Sequence, residues 1–159
     1  MEPDNMAEVI EATTVEHYRH GRLLIEEYAR FVGLDLTSPT LAWELANLSD
    51  VYGPPKGALL LARDAGAFVG CIGLRPMGGE VAEMKRFFVQ PLARGKGCGK
   101  LLLDAFIAKA RALGYKAVRL TTVPALASAL ALYHRFGFAQ IAPYRDDAPL
   151  DAIFMELRL

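Results

Sequence analysis

Between Val89 and Lys100 the chain reads VQPLARGKGCGK, with an apolar strand-like run before it and an apolar helix-like run after it. Gly95, Gly97 and Gly99 fall at alternate positions, with Arg94, Lys96 and Lys100 beside them. Glycine loses more conformational freedom on folding than any other residue, so this spacing needs a physical reason. The first amides of a helix have no intrahelical acceptor and carry roughly half a positive charge, which suits them to anions. Glycines let a bulky phosphate approach the backbone closely, and the three bases add charge. A strand passing through such a loop into a helix reads as a pyrophosphate site in a mixed α/β fold. The plainer alternative is a connecting loop with solvated bases. Two familiar phosphate loops do not fit. A Walker A loop needs four residues between its glycines and then Lys-Ser/Thr, whereas Gly95 and Gly99 enclose three and Leu101 follows Lys100. The dinucleotide fingerprint needs GxGxxG directly after a strand, whereas here the spacing is GxGxG and Gln90 to Arg94 intervene.

The rest of the chain supplies the elements around this loop. Ala7 to Thr13 reads as a short strand. Thr13 with Glu16 has capping-box spacing, and Val15, Tyr18, Leu24, Tyr28 and Phe31 recur at helical intervals up to about Val32, with Gly33 as the stop. Ser38-Pro39 predicts a second helix over TLAWELANLSD. ALLLARD and AFVGCIGLRP form a hairpin about Ala65-Gly66, and Gly78-Gly79 turns the chain into a third strand, EVAEMKRFFVQP. Leu101, Leu102, Ala105, Phe106 and Ala110 mark one face of the helix after the glycine loop, ended by Gly114. KAVRLTTV is a strand, ALASALALYHRFG a helix, and FAQIAPY and AIFMELRL are two final strands joined by an acidic loop. The order β-α-α-β-β-β-α-β-α-β-β makes a mixed α/β fold, expected as one domain over residues 1–159.

Composition narrows the function classes. Eighteen basic residues balance eighteen acidic ones, which argues against a general nucleic-acid or acidic-membrane binder. Two cysteines outside any CxxC argue against a disulfide framework or a structural zinc site, and no metal ligand set is expected. His17 and His20 lack the HExxH pattern and read as a solvated helix face. The acidic N-terminal stretch has no signal-peptide core, and no apolar run reaches the roughly 18 residues needed to span a bilayer. The expectation is a cytoplasmic protein without a membrane or nucleic-acid partner.

RGKGCG resembles the R/Q-x-x-G-x-G/A signature of the GNAT superfamily, the acyl-CoA-dependent N-acyltransferases. AEMKRFFV before it and ALALYHRFGF after it resemble the same family in the same order, so the likeness covers about Leu59 to Leu159. It implies the GNAT fold, a mostly antiparallel central sheet splayed into a V with helices on both faces. It also implies acetyl-CoA as co-substrate and N-acetyl transfer to a primary amine. Arg94, Gly95, Lys96, Gly97, Cys98, Gly99 and Lys100 would hold the pyrophosphate. Phe87, Phe88 and Val89 would line the pantetheine arm, with a backbone N–H near Phe87 polarising the thioester carbonyl. Tyr133, in LYHRFGF, matches the tyrosine near the CoA sulfur. A phenol of pKa about 10 beside a thiol of about 8.5 can stay protonated and donate to the thiolate.

Glu83 matches the strand glutamate that some members use as a base; the alternative is an ion-paired strand residue. Cys98 at the helix start invites a nucleophile reading, but no histidine partner is identifiable, and a small side chain packing under the loop is favoured. The asparagine that many members carry after the fourth long strand has no match in VPALAS. Tyr144, Asp146 and Asp147 could draw a cationic amine. The expected acceptor is an amine-bearing small molecule or a peptide or protein N-terminus, and the resemblance leaves room for a homodimer. The competing function is a non-catalytic CoA-binding sensor, whose signature would be the loss of both Glu83 and Tyr133; the chain retains both.

Overall fold

A computed structural model describes residues 7–159; the acidic start of the chain, up to residue 6, lies outside them. Seven strands form one sheet in the order β1-β2-β3-β4-β5-β7-β6: β1 Glu8–Glu11, β2 Ala58–Asp64, β3 Ala67–Gly78, β4 Val81–Val89, β5 Ala117–Thr122, β6 Ala139–Ile141 and β7 Ile153–Arg158. Every neighbouring pair is antiparallel except β4 with β5, so the sheet is mixed. Three helices, α1 Val15–Val32, α2 Pro39–Ala46 and α3 Leu48–Val51, precede β2; α4 Cys98–Ala112 follows β4, and α5 Ala127–Arg135 follows β5.

β2 explains why its sequence is apolar without alternation. Leu59 and Leu61 join the core under α1 to α3, while Ala58, Leu60 and Ala62 join the core under α4 and α5. A strand covered on both faces reads as one continuous apolar run. The hairpin to β3 turns on Ala65 and Gly66, both at positive φ, the conformation favoured in two-residue hairpin loops.

Several expected details differ. The α1 cap is Thr14, which accepts from the His17 amide, while the Thr13 amide donates to His17 Nδ1. This box is shifted by one residue and uses a ring nitrogen where Glu was expected. Val15 and Phe31 are exposed, and the buried stripe runs through Gly21, Leu24, Ile25 and Ala29. On α4, Leu102, Leu103, Phe106, Ile107 and Ala110 face the core, and Leu101 lies at the edge. The second helix breaks at Asn47 into α2 and α3. His17 and His20 pack their rings near Phe68 rather than standing free in solvent.

β4 positions the site. It pairs with β5 only through Val81, Ala82 and Glu83, after which the two strands part. On its other edge Cys71 faces Phe88 and Gly73 faces Lys85, so Ile72 alone opposes two residues, Arg86 and Phe87. Such a bulge bends a strand and increases its twist. Arg86 sits at φ 59, a left-handed conformation that disfavours a non-glycine residue. Its surroundings hold it there. Arg86 Nε and Nη2 each donate to Glu44 at 2.8 Å, the Tyr52 hydroxyl donates to the same carboxylate at 2.7 Å, and the Cys71 thiol donates to the Arg86 carbonyl at 3.2 Å. The Tyr52 ring lies against Gly73, where any Cβ would approach its ring carbons to 2.7 Å.

Candidate active site

Where β4 and β5 part, a cavity of about 600 Å³ opens between them. One side is β4 from Glu83 to Val89. The far end is the glycine loop with the start of α4, and the other wall runs from Leu120 through Ser128 to Tyr133. A smaller cavity of about 310 Å³ is lined by Arg75, Pro76, Met77, Glu83, Tyr144 and Arg145. Glu83 and Arg145 line both.

The glycine loop begins with a single 3-10 turn, Pro91–Ala93. Gly97 at φ 84 is the N-cap of α4, and no side chain caps that helix. Its first amides are therefore not taken by a capping oxygen, which leaves donors and the positive helix end at the cavity. Gly95 also has positive φ, and the space beside both glycines is open. The requirement for glycine here is conformational rather than steric.

The bases differ in position. Arg94 donates from Nε to the Val89 carbonyl at 2.9 Å and lies over the rings of Phe31 and Phe88, at 4.8 and 5.9 Å, so it braces the loop against α1. Lys100 lines the cavity and pairs with Asp104 one turn on. Lys96 is outside the lining of both cavities and lies 3.6 Å from Asp64. The Cys98 thiol is buried; burial, then the Asp64 charge, push its pKa up against the opposing pull of Lys96. A protonated, buried thiol is a poor nucleophile, and its residue contributes a backbone amide at the helix start.

Phe87 and Tyr133 lie ring to ring at 6.0 Å, with Phe138 5.7 Å beyond Tyr133. Burial, with a smaller push from Tyr28, holds the Tyr133 phenol far above its ordinary range. It can donate a hydrogen bond, and its anion is strongly disfavoured. Phe88 lines the cavity as well and also belongs to the core under α1 to α3.

Glu83 is buried, 4% exposed, and is directly opposite Arg75 across the β3–β4 ladder. Arg75 donates to its Oε1 at 2.9 Å. The Tyr144 hydroxyl lies 3.4 Å from its Oε2 and 3.1 Å from Thr121 Oγ1, and the Tyr144 ring packs edge-on to Phe154 at 4.9 Å. Burial above all raises the Tyr144 phenol. The structure thus brings Glu83 and Tyr144 together. Asp146 and Asp147 lie outside the lining of both cavities, and Asp147 is a largely exposed neighbour of Arg145.

Sequence reasoning overlooked Arg75, Lys85, Arg145, Thr122 and the Glu44–Arg86–Tyr52 group. Thr122 is 5% exposed, lines the large cavity, and has no hydrogen-bond partner for its hydroxyl. Counting back from the Gly78-Gly79 turn could have approached Arg75. An irregularity at Pro76–Gly78 shifts the register by one, so a regular count puts Pro76 opposite Glu83. No cluster of three His, Cys, Asp or Glu that could hold a metal occurs among the described residues, and no helix there is long and apolar enough to cross a membrane.

The model of the acetyltransferase (GNAT) family matches residues 21–138. The chain belongs to that family. An uncharacterized N-acetyltransferase of Schizosaccharomyces pombe is 39% identical over 140 residues, 87% of this chain and 86% of that one. The fold superimposes on a GNAT acetyltransferase of Staphylococcus aureus with a TM-score of 0.79 at 24% identity, covering 96% of this chain and 98% of that one. It also superimposes on a GNAT acetyltransferase of Elizabethkingia anophelis solved with acetyl-CoA bound, with a TM-score of 0.69 at 22% identity, covering 98% and 99%. The chain is accordingly an acetyltransferase with a GNAT fold.

Proposed function

We propose that this acetyltransferase takes its acetyl group from acetyl-CoA and passes it to a primary amine by direct attack within a ternary complex. The observation that carries this reading is that the parting of β4 from β5 and the uncapped start of α4 lie along one cavity. The open strand edge fits the amide groups of a pantetheine arm, and the helix start fits a pyrophosphate. Arg94 shapes that loop from behind, the amides from Gly95 to Lys100 face the phosphates, and Lys96 and Lys100 add charge around them. The acetyl-CoA bound by the Elizabethkingia protein supports the choice of donor.

The chemistry requires a C–N bond to form, a C–S bond to break, and a proton to move from nitrogen to sulfur overall. The backbone N–H near Phe87 polarises the thioester carbonyl and receives the charge that gathers on its oxygen. Glu83, at the acceptor end of the cavity, accepts the proton that the attacking ammonium or amine gives up, directly or through a water. Tyr133 stays protonated and donates a hydrogen bond to the departing thiolate, which leaves as the anion or takes its proton from solvent, and Glu83 returns its proton to solvent. No enzyme nucleophile takes part, since Cys98 is buried under the loop. Phe88 and Val89 complete the wall of the pantetheine channel, and Tyr144 orients Glu83. Asp146 and Asp147 keep only the outer role of attracting a cationic acceptor toward the cavity mouth.

Calorimetry on the purified protein, comparing acetyl-CoA, CoA, ATP and NAD, tests the donor; thiol release with a panel of amines tests the transfer. Micromolar binding of acetyl-CoA with much weaker ATP and NAD, followed by amine-dependent thiol release, is the expected result. Binding without release for any amine would favour the non-catalytic sensor. Absence of binding to any CoA species would refute the donor assignment.

A further inference from the structure

The acceptor end of the site brings together four cations, Arg75, Lys85, Arg86 and Arg145, and two buried carboxylates, Glu83 and Glu44. Ala82, Met84 and Phe87 of β4 pack with the core under α4 and α5, which leaves Glu83 and Lys85 on the opposite face of the strand. Lys85 lines the large cavity, and among the described residues no carboxylate lies within ion-pairing distance of its ammonium. Arg75 holds Glu83. Arg86 is committed to Glu44. Arg145 lines both cavities; its Nε is buried and makes no hydrogen bond, and Asp147 Oδ1, 3.4 Å away and 81% exposed, stands outside hydrogen-bonding geometry.

The phosphates of the donor do not account for this group. Lys85 precedes Val89 by four strand residues, roughly 13 Å at the rise of a β-strand, and the glycine loop begins only beyond Val89. The environment confirms the excess. Burial first, then the like charges of Arg86, Arg75 and Arg145, depress the Lys85 ammonium to about 8 against the opposing pull of Glu83. A half-buried ammonium among three guanidiniums, beside a guanidinium nitrogen without a hydrogen bond, is an arrangement that an incoming anion would relieve.

We infer that the acceptor amine carries a carboxylate, which Arg145 and Lys85 receive where the two cavities meet while its amino group lies toward Glu83. This rests on the acetyl-transfer reading above and narrows its acceptor to amino acids and related amino carboxylates. Glu83 keeps the opposite sign beside the pair, so one end of the acceptor meets a base and the other meets two cations.

The test measures thiol release from saturating acetyl-CoA, using each of the L-amino acids and its carboxamide as acceptor. The ratio of kcat/KM between the two members of a pair is compared between wild type and the variants Lys85→Met and Arg145→Gln, which cancels the difference in amine basicity. Charge-assisted hydrogen bonds predict that the ratio for the best amino acid falls about tenfold to a hundredfold in either variant, chiefly through KM of the acceptor. Arg145 lies in a loop with its side chain 31% exposed, so Arg145→Gln keeps the test decisive if Lys85→Met folds poorly. An unchanged ratio in the folded variants, or a wild-type enzyme that prefers carboxamides and plain amines, overturns the carboxylate assignment while acetyl transfer stands. Thiol release from neither series overturns the transfer reading, and the inference with it.

Discussion

Replacing Glu44 with alanine would test the support beneath the strand bulge. The Glu44 and Arg86 side chains are 7% and 13% exposed, and Glu44 accepts three hydrogen bonds, two from Arg86 and one from Tyr52. Alanine would leave a buried guanidinium with no counter-charge and a buried phenol with no acceptor. Removing one partner of a buried ion pair costs about 3–5 kcal/mol. For a chain of this size each kcal/mol shifts Tm by about 2–4 °C, so Tm should fall by roughly 6–20 °C. Circular dichroism melts measure it. The double variant Glu44→Leu with Arg86→Met replaces the pair with apolar side chains and should recover most of the loss, because no charge is left buried. The pH dependence has a definite sign. Burial resists the Glu44 charge, but the hydrogen bonds and charge of Arg86, with the Tyr52 hydroxyl, outweigh it and hold the carboxyl below its ordinary value. A depressed carboxyl contributes stability above its unfolded pKa and loses it as pH falls through the folded one. Wild type should therefore lose more Tm than Glu44→Ala on acidification from about pH 6 to about pH 3. A Tm within about 2 °C of wild type for Glu44→Ala, or a double variant no more stable than the single, would refute the reasoning, since the pair would then contribute less than about 1 kcal/mol.

Gly97→Val would force a β-branched residue into φ 84 at the α4 cap; the open space there spares the core, so about 1–3 kcal/mol of backbone strain should lower Tm only by several degrees, while acetyl-CoA affinity by calorimetry collapses. Tyr133→Phe removes a hydrogen-bond donor that contributes about a hundredfold or more to catalysis, so kcat should fall far more than acetyl-CoA binding, and equal activity would remove Tyr133 from the mechanism. The Lys85 ammonium, depressed to about 8 beside Arg75, Arg86, Arg145 and Glu83, is charged below that pH and neutral above it. The KM of a carboxylate-bearing acceptor should thus rise between about pH 7 and about pH 9 in wild type and stay flatter in Lys85→Met, read against a carboxamide control. Acetyl-CoA at a hundredfold excess over its Kd should stabilise the chain by about 2.7 kcal/mol, visible as a shift in Tm that Gly97→Val abolishes.

Much of the fold was legible because each element carries its own local signal. Ser38-Pro39 starts α2, Gly33 ends α1, and Gly78-Gly79 turns β3 into β4, each through a conformational preference of one or two residues. The glycine loop was legible for the same reason. What stayed hidden depends on contacts between residues far apart in sequence. Arg75 reaches Glu83 only through a register that an irregularity shifts by one, and Arg86 meets Glu44 across 42 positions. Arg86 in EMKRFFV looks like a solvated strand cation, since nothing beside it announces a left-handed backbone or a buried partner. Tyr144 was legible by type and place, yet its link to Glu83 spans 61 positions. Val15 and Phe31 recur at the helical interval yet are exposed, because they sit at the two ends of α1, where periodicity says nothing about whether the sheet still lies underneath.

The hidden contacts also account for a feature that would otherwise be a liability. Beyond Glu83 the β4 edge facing β5 has no strand partner, and open edges invite unwanted pairing. Two linked devices accompany this open edge. The bulge at Arg86 and Phe87 bends and twists β4 just past its last pair with β5, and Glu44, reaching from α2, holds the bulged residue. The edge then lines a cavity flanked by the glycine loop and α5, which shields it from another strand and suits the extended arm proposed above. The strain at Arg86 and the burial of its ion pair are therefore coupled to binding. Relaxing them would let β4 straighten toward β5 and close the channel, so a variant that repairs the backbone strain without the bulge should gain stability and lose affinity for acetyl-CoA.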